Sequence, residues 1–218
     1  MENASKALLM AGTILISLLV IGALVFVYRD ITSAKRADEE ALKTQQLEEF
    51  NKQFTSYERK LYGTELISLV NKMIDYNANM TSKGYKSMEI IIDKVPKGNK
   101  LFAKEKYKLD DLEKILKEVK NLEKEYGGSQ TLSKIVEVLN KFSLENNKIK
   151  NEDKDKFNEE LEKIVGVTGA SKINNNLSDV LKYSEYIDFK RYSFDYQTTS
   201  NDTNNGRVVE MTFLYNNK

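Results

Sequence analysis

An uncharged apolar run near the amino terminus constrains this chain more than any other feature. No residue from Ala7 to Tyr28 carries a charge. A helix over this run would rise about 33 Å, enough for the ~30 Å hydrocarbon core of a bilayer. A helix that is apolar all round needs either lipid or a much larger protein around it. The run therefore predicts one transmembrane anchor, and we take as its representative residues Ala7, Leu15, Leu19, Phe26 and Tyr28.

A cleaved secretory signal is the alternative interpretation of this run, because small residues follow it at 32–34. The run is longer than the usual ~7 to 15 apolar residues of a signal, which favours a retained anchor. Its orientation has two opposing clues. Four cations at 29–43 against Lys6 before the run favour a cytoplasmic C-terminal domain, whereas the absence of Cys suits an exported one. Our working prediction is a single-pass cell-membrane protein with an extracytoplasmic C-terminal domain.

The composition excludes several kinds of chemistry. The chain of 218 residues contains no Cys and no His, so disulfides, thiol catalysis, imidazole acid/base catalysis and metal sites built on those ligands are absent. The 34 Lys and Arg nearly balance the 33 Asp and Glu, so net charge points to no partner. We therefore predict a protein that is not an enzyme, with no catalytic residues, metal site or cofactor. An enzyme using carboxylates and a divalent cation is the third hypothesis, without a residue pair to carry it.

Three local motifs have a plainer interpretation than a catalytic or ligand-binding site. The segment GVTGASK at 166–172 lacks the phosphate-loop pattern and is interpreted as a helix end followed by a loop. Asp110 and Asp111 suit the first turn of a helix, where carboxylates favour the dipole. The acidic residues at 152–155 lack the glycine and the distal glutamate of a calcium loop and are interpreted as a solvated charge run.

A helical stripe follows the apolar run. Residues 29–62 contain no Pro or Gly, so the helix is predicted to continue out of the bilayer as a juxtamembrane amphipathic helix that Gly63 ends. Apolar residues then recur at alternating steps of three and four, which places them on one face. We expect this packing stripe to dock on the protein's own globular part rather than in a coiled coil; it consists of Leu47, Phe50, Phe54, Tyr57 and Leu61.

The remaining residues, 63–218, are predicted to form an α+β domain. An amphipathic helix follows Gly63, and a strand over 87–95 stops at Pro96. Three helical patterns between Leu109 and Val165 and a short helix over 177–183 make up a helical insertion of about 109–183 between the first and second strands. Alternating aromatics then predict a C-terminal hairpin turning at 199–206, within a small antiparallel sheet covered by the helix after Gly63.

A lysine-rich segment lies between the first strand and the next helix. Phe102 and Tyr107 interleave with the lysines, so the segment is a candidate patch for anionic lipid, polyanionic polymer or nucleic acid. The alternative is an ordinary solubilising surface, because lysine-rich surfaces commonly serve solubility. We call this set the lysine patch: Lys94, Lys97, Lys100, Lys104, Lys106 and Lys108.

The layout resembles the type IV pilin and pseudopilin plan, in which a spanning helix extends into a domain with a sheet closed by a hairpin. The opening MENASKALLMAGTILISLLV and the segment GTELISLVNKMIDYN are also similar to small single-span membrane proteins of low-GC Gram-positive bacteria. The resemblance is architectural, because Thr13 and Ser17 stand where pilins carry Phe or Met and Glu. It implies a subunit of a surface assembly whose spanning helices bundle.

The sequence favours two hypotheses for the function. The first is a membrane-anchored structural or interaction protein, with self-association or other surface proteins as partners and with no nucleic acid or small-molecule substrate expected. The second is a cytoplasm-facing anchored adaptor whose lysine patch binds anionic partners.

Overall fold

The computed structural model describes residues 2–98, 100–145 and 147–216, and in the first turns of its first helix it describes side chains at Lys6 and from Met10 onward. The chain divides into two compact units, residues 1–52 and 53–218. The first unit holds most of helix α1 (Glu2–Thr55), and the second unit holds all the other elements.

The described residues of the second unit form five further helices. They are α2 (Gly63–Met80), α3 (Leu109–Glu125), α4 (Ser129–Leu139), α5 (Lys154–Asn175) and α6 (Leu177–Arg191). Short 3-10 turns follow α2 at Thr81–Lys83 and precede α5 at Asn151–Asp153. The strands are β1 (Leu61–Tyr62), β2 (Glu89–Asp93), β3 (Tyr107–Lys108), β4 (Leu144–Glu145), β5 (Lys148–Ile149), β6 (Ser193–Asn201) and β7 (Val208–Asn216). The predicted α+β class is therefore confirmed.

In the described part of the chain, the main sheet has five strands in the order β1-β6-β7-β2-β3, and β4 and β5 form a separate two-stranded sheet. The predicted C-terminal hairpin is present, because β6 and β7 pair antiparallel. β2 joins the hairpin as predicted, but it runs parallel to β7, with Ile90 opposite Met211 and Ile92 opposite Phe213. The sheet is thus mixed, and the prediction of an antiparallel sheet is corrected. A parallel neighbour requires a long crossover, and the helices between β3 and β6 supply it.

The core lies between the sheet and the helices of the second unit. Ile90, Ile92, Met211 and Phe213 are fully buried on the strands, and so are Leu66, Leu69 and Met73 on α2. These helix positions are the ones that the amphipathic pattern predicts, because steps of three and four place them on one face. Gly63 begins α2 against α6, where a side-chain Cβ would overlap the backbone carbonyl of Phe189. Only glycine permits this close approach.

Helix α1 ends earlier than predicted. The helix expected over 29–62 stops at Thr55, and turn hydrogen bonds follow, including Tyr57 N–H to the Phe54 carbonyl at 2.9 Å. Leu61 instead lies in β1 opposite Phe194 of β6, so strand pairing replaces the helical turn at the end of the stripe. Gly63 therefore begins a helix and does not end one.

Two other helical regions differ in part from the prediction. The helix expected to end at Gly166 does lose its helical backbone there, at a φ of 71°, but a second helical stretch follows in place of the predicted loop, and α5 covers both as far as Asn175. The helix expected over 177–183 extends to Arg191, because Tyr186 and Phe189 are buried on the same face as Tyr183. The helical insertion therefore reaches residue 191 rather than about 183.

Candidate functional site

Helix α1 carries the apolar surface that the sequence predicts. From Met10 the helix is long and apolar enough to cross a membrane. In its most apolar stretch of 18 residues, no residue is buried against the rest of the protein. Leu15, Leu19, Phe26 and Tyr28 are 64 to 71% exposed, whereas the side chain of Ala7 lies outside the described part of the chain.

The hydroxyl groups of Thr13 and Ser17 in this segment are satisfied within the helix itself. Thr13 Oγ1 donates to the Met10 carbonyl at 2.9 Å, and Ser17 Oγ donates to the Thr13 carbonyl at 2.8 Å. Such back-bonded hydroxyls need no water. Lipid can therefore surround this surface without leaving these hydroxyls unpaired.

The packing stripe divides between the two compact units. Leu47 and Phe50 lie in the first unit and are partly exposed. Phe54 and Leu61 lie in the second unit, where they are fully buried. Lys72 of α2 lies over the rings of Phe54 and Tyr57, with Nζ 5.5 and 5.8 Å from the ring centroids. The end of the stripe is thus part of the globular core.

The lysine patch is divided by the fold. All six lysine side chains are exposed, but Lys97 pairs with Glu105 at 3.0 Å and Lys104 with Asp111 at 2.7 Å. The hydrogen bond between Lys104 and Asp111 raises the pKa of the ammonium and lowers the pKa of the carboxyl. The charge that this segment presents is therefore smaller than the sequence suggests.

The aromatics between the lysines belong to the core. Phe102 and Tyr107 are 3 and 2% exposed, and Phe102 stacks on Phe189 with the ring centroids 4.5 Å apart. The interleaved pattern therefore does not provide rings for base stacking, which corrects that part of the sequence interpretation.

One carboxylate holds the loop that carries Lys100. Glu185 of α6 accepts the backbone N–H groups of Lys100, Leu101 and Phe102 at 2.9, 2.7 and 3.1 Å. Gly98 lies so close that a side-chain Cβ there would overlap this carboxylate. Sequence reasoning missed Glu185, because the contact spans more than eighty residues and leaves no local pattern.

A polar cleft of about 570 Å³ lies beside this loop. It is lined by the start of α6, by β5 and by residues of both ends of α5. Three lysines reach it from separate segments, Lys100 from the loop, Lys148 from β5 and Lys154 from the first position of α5. We call it the lysine–asparagine cleft, and its other lining residues are Asn147, Ile149, Asn158, Asn174, Asn175, Leu177 and Ser178.

A second polar groove, of about 470 Å³, lies between α2, β2 and α3. Glu89, Asp110 and Glu113 are among its lining residues, and burial followed by the charge of Asp110 raises the pKa of Glu89. Asp111 lies in the first turn of α3, as the sequence predicts, and accepts the Lys108 N–H at 3.3 Å, which caps the start of the helix. Across the described residues, no group of three acidic side chains is arranged to hold a metal ion.

No family model matches the sequence, and no curated protein or solved structure matches it either.

Proposed function

We propose that this protein is a membrane-anchored, non-enzymatic interaction protein whose C-terminal domain, residues 53–218, makes the contacts. The observation that carries the proposal is the apolar segment of α1, whose described side chains form an exposed, uncharged surface of 19 residues from Met10 to Tyr28, with the Thr13 and Ser17 hydroxyl groups bonded within the helix. Exposing such a surface to water costs a free energy of about 25 cal/mol for each Å² of apolar area, and contact with lipid removes that cost.

The proposed arrangement is an extracytoplasmic domain in a pilin-like assembly, with the spanning helices packing against one another. Support comes from the layout, in which one helix runs without interruption from Glu2 to Thr55 and the domain's sheet contains the C-terminal hairpin. Side chains at Gly12 and Gly22 would meet nothing within 4 Å, so both positions offer smooth surface to a neighbouring helix.

The anchor and its orientation can be tested by paired cysteine labelling. Thr203→Cys lies in the exposed turn of the β6–β7 hairpin, and Ser5→Cys lies before the apolar run. The chain has no other thiol, so each variant carries a single target. We expect a membrane-impermeant maleimide to label only the Thr203→Cys variant in intact cells, and to label the Ser5→Cys variant only after lysis.

Other labelling patterns have definite meanings. Labelling of the Ser5→Cys variant alone would reverse the orientation and remove the pilin-like arrangement. A protein that alkaline carbonate releases from membranes would refute the anchor itself.

The assembly part needs a separate measurement on the full chain in a mild neutral detergent. We expect the protein mass from light scattering to exceed one copy and to fall on dilution. A single copy at every concentration would remove the assembly and leave the anchor standing.

The second candidate function is a cytoplasm-facing adaptor for anionic partners. It is favoured by the exposure of Lys94, Lys106 and Lys108 along one short segment. This function requires that, in intact cells, the maleimide labels only the Ser5→Cys variant. It also requires that the protein elutes from heparin at a lower salt concentration than the parent when these three lysines are replaced by Gln. The matched control is Lys120→Gln, Lys124→Gln and Lys134→Gln, which removes the same charge from exposed positions on α3 and α4.

A further inference from the structure

We propose that the lysine–asparagine cleft binds a ligand of the sugar-phosphate class, one that carries a phosphate group beside several hydroxyl groups. This inference goes beyond the anchored function, because it depends on neither the orientation of the chain nor its self-association.

The charge of the cleft selects an anion. Lys100, Lys148 and Lys154 line it, and its described lining includes no carboxylate. Leu177 and Ser178, the first two residues of α6, also line it. The first N–H groups of a helix lack intrahelical acceptors and form the positive end of its dipole, which favours a phosphate there. Lysines and a helix start therefore act in the same direction.

The amides of the cleft select hydroxyl groups. Four asparagines line it, and each amide offers both a donor and an acceptor, as a sugar hydroxyl requires. Asn174 Nδ2 donates to Asn158 Oδ1, which uses one end of each amide and orients the other end. A bare phosphate would have little use for such acceptors, whereas a phosphorylated sugar would use amides and lysines together.

The cleft is assembled by tertiary contacts. The Glu185 carboxylate fixes the backbone of Lys100, and the buried side chain of Ile149 fixes β5 beside Lys148. The volume of about 570 Å³ falls within the ~300 to 1,000 Å³ of small-molecule sites. The described lining includes no aromatic ring, so the cleft has no platform for the stacked bases of a single-stranded nucleic acid.

The test is calorimetric titration of the full chain in a neutral detergent with glucose 1-phosphate, glucose and inorganic phosphate. We expect glucose 1-phosphate to bind with a dissociation constant below about 1 mM, several-fold more tightly than inorganic phosphate, and glucose not to bind. Added salt should weaken the binding, because the charges are exposed to solvent.

Matched variants locate the binding. We expect Lys100→Gln, Lys148→Gln and Lys154→Gln together to weaken glucose 1-phosphate binding at least tenfold, while Lys120→Gln, Lys124→Gln and Lys134→Gln leave it unchanged. Asn158→Ala should weaken binding of glucose 1-phosphate but not of inorganic phosphate. These changes are at partly or fully exposed positions, so the far-ultraviolet circular dichroism should match that of the parent.

Three results would overturn the inference: no binding of glucose 1-phosphate, equal affinity for inorganic phosphate, or equal losses in the cleft and control variants. None of them bears on the labelling experiment, so failure of the cleft and failure of the anchor are distinguishable.

Discussion

The Glu185 carboxylate is the contact that holds the backbone at 100–102, and replacing it gives a sharp prediction. In the parent its two oxygens accept three backbone N–H groups, those of Lys100, Leu101 and Phe102. In Glu185→Gln an NH₂ group replaces one oxygen, and this group cannot accept hydrogen bonds from the N–H donors that it faces. The loop would lose both the charge and at least one acceptor, while the side-chain volume stays almost constant.

The size of the effect follows from these contacts. A hydrogen bond to a charged group contributes about 1.5 to 3 kcal/mol, and leaving a buried donor unpaired costs about 1 to 3 kcal/mol. The three bonds share two oxygens and are not additive, so we expect Glu185→Gln to lower the free energy of unfolding by about 3 kcal/mol. For a unit of this size that corresponds to a fall in Tm of roughly 6 to 12 °C.

Amide hydrogen exchange in the full chain provides a local readout beside the thermal melt. We expect exchange at Lys100, Leu101 and Phe102 to accelerate in Glu185→Gln more than at the core amides of β7. Gly98→Ala should accelerate the same amides with a smaller loss of stability, because its methyl group would displace the flexible end of Glu185.

Asp188→Asn is the control for this series, since it removes an acid from the same helix. Asp188 is 53% exposed and lies 3.8 Å from Arg191, a surface pair whose loss should change stability by less than about 0.5 kcal/mol. The reasoning would be refuted if Glu185→Gln matched Asp188→Asn in Tm and in exchange at 100–102.

Three other changes test the packing of the second unit. Gly63→Ala should lower the free energy of unfolding by about 1 to 3 kcal/mol in urea titrations, because its Cβ meets the rigid backbone of Phe189. Phe54→Ala should lower it by about 3 to 5 kcal/mol in the same titrations, and an unchanged midpoint would contradict the burial of this ring. Burial raises the pKa of the Tyr126 and Tyr183 phenols, so the folded state keeps protons that the unfolded state releases near pH 10. Stability should therefore fall as pH rises above about 10, and the phenolate absorbance should show these two among the tyrosines that ionise only on unfolding.

Local periodicity was enough to predict the elements whose buried face is contained in one segment. The α2 positions Leu66, Leu69 and Met73 recur at helical spacing, and the β6–β7 hairpin shows alternation on both sides of a polar turn. In these cases the spacing of the apolar residues reveals the element directly, because the face that is buried in the structure is the face that carries them.

The misplaced features depend on partners that are distant in the chain. The parallel direction of β2 is set by its neighbour β7, which comes more than one hundred residues later. The helical stripe ends at Thr55 because Leu61 pairs with Phe194, and a five-residue pattern contains no information about that strand. The last two turns of α6 carry Tyr186 and Phe189. These aromatic residues lie next to the aromatic-rich strands, so their helical spacing is hard to distinguish in the sequence from the start of the hairpin.

The lysine patch shows why a run of like charges predicts a binding surface poorly. A segment that crosses the surface of the core must bury some of its residues, and here the buried ones are Val95, Leu101, Phe102 and Tyr107. Its cations then point to different surroundings, so Lys97 and Lys104 meet carboxylates while Lys100 lines the cleft. Lys148 and Lys154 complete the cleft, and neither belongs to the lysine patch that the sequence predicts. Charges act together when the fold gives them a common cavity, and only the tertiary structure decides which ones share it.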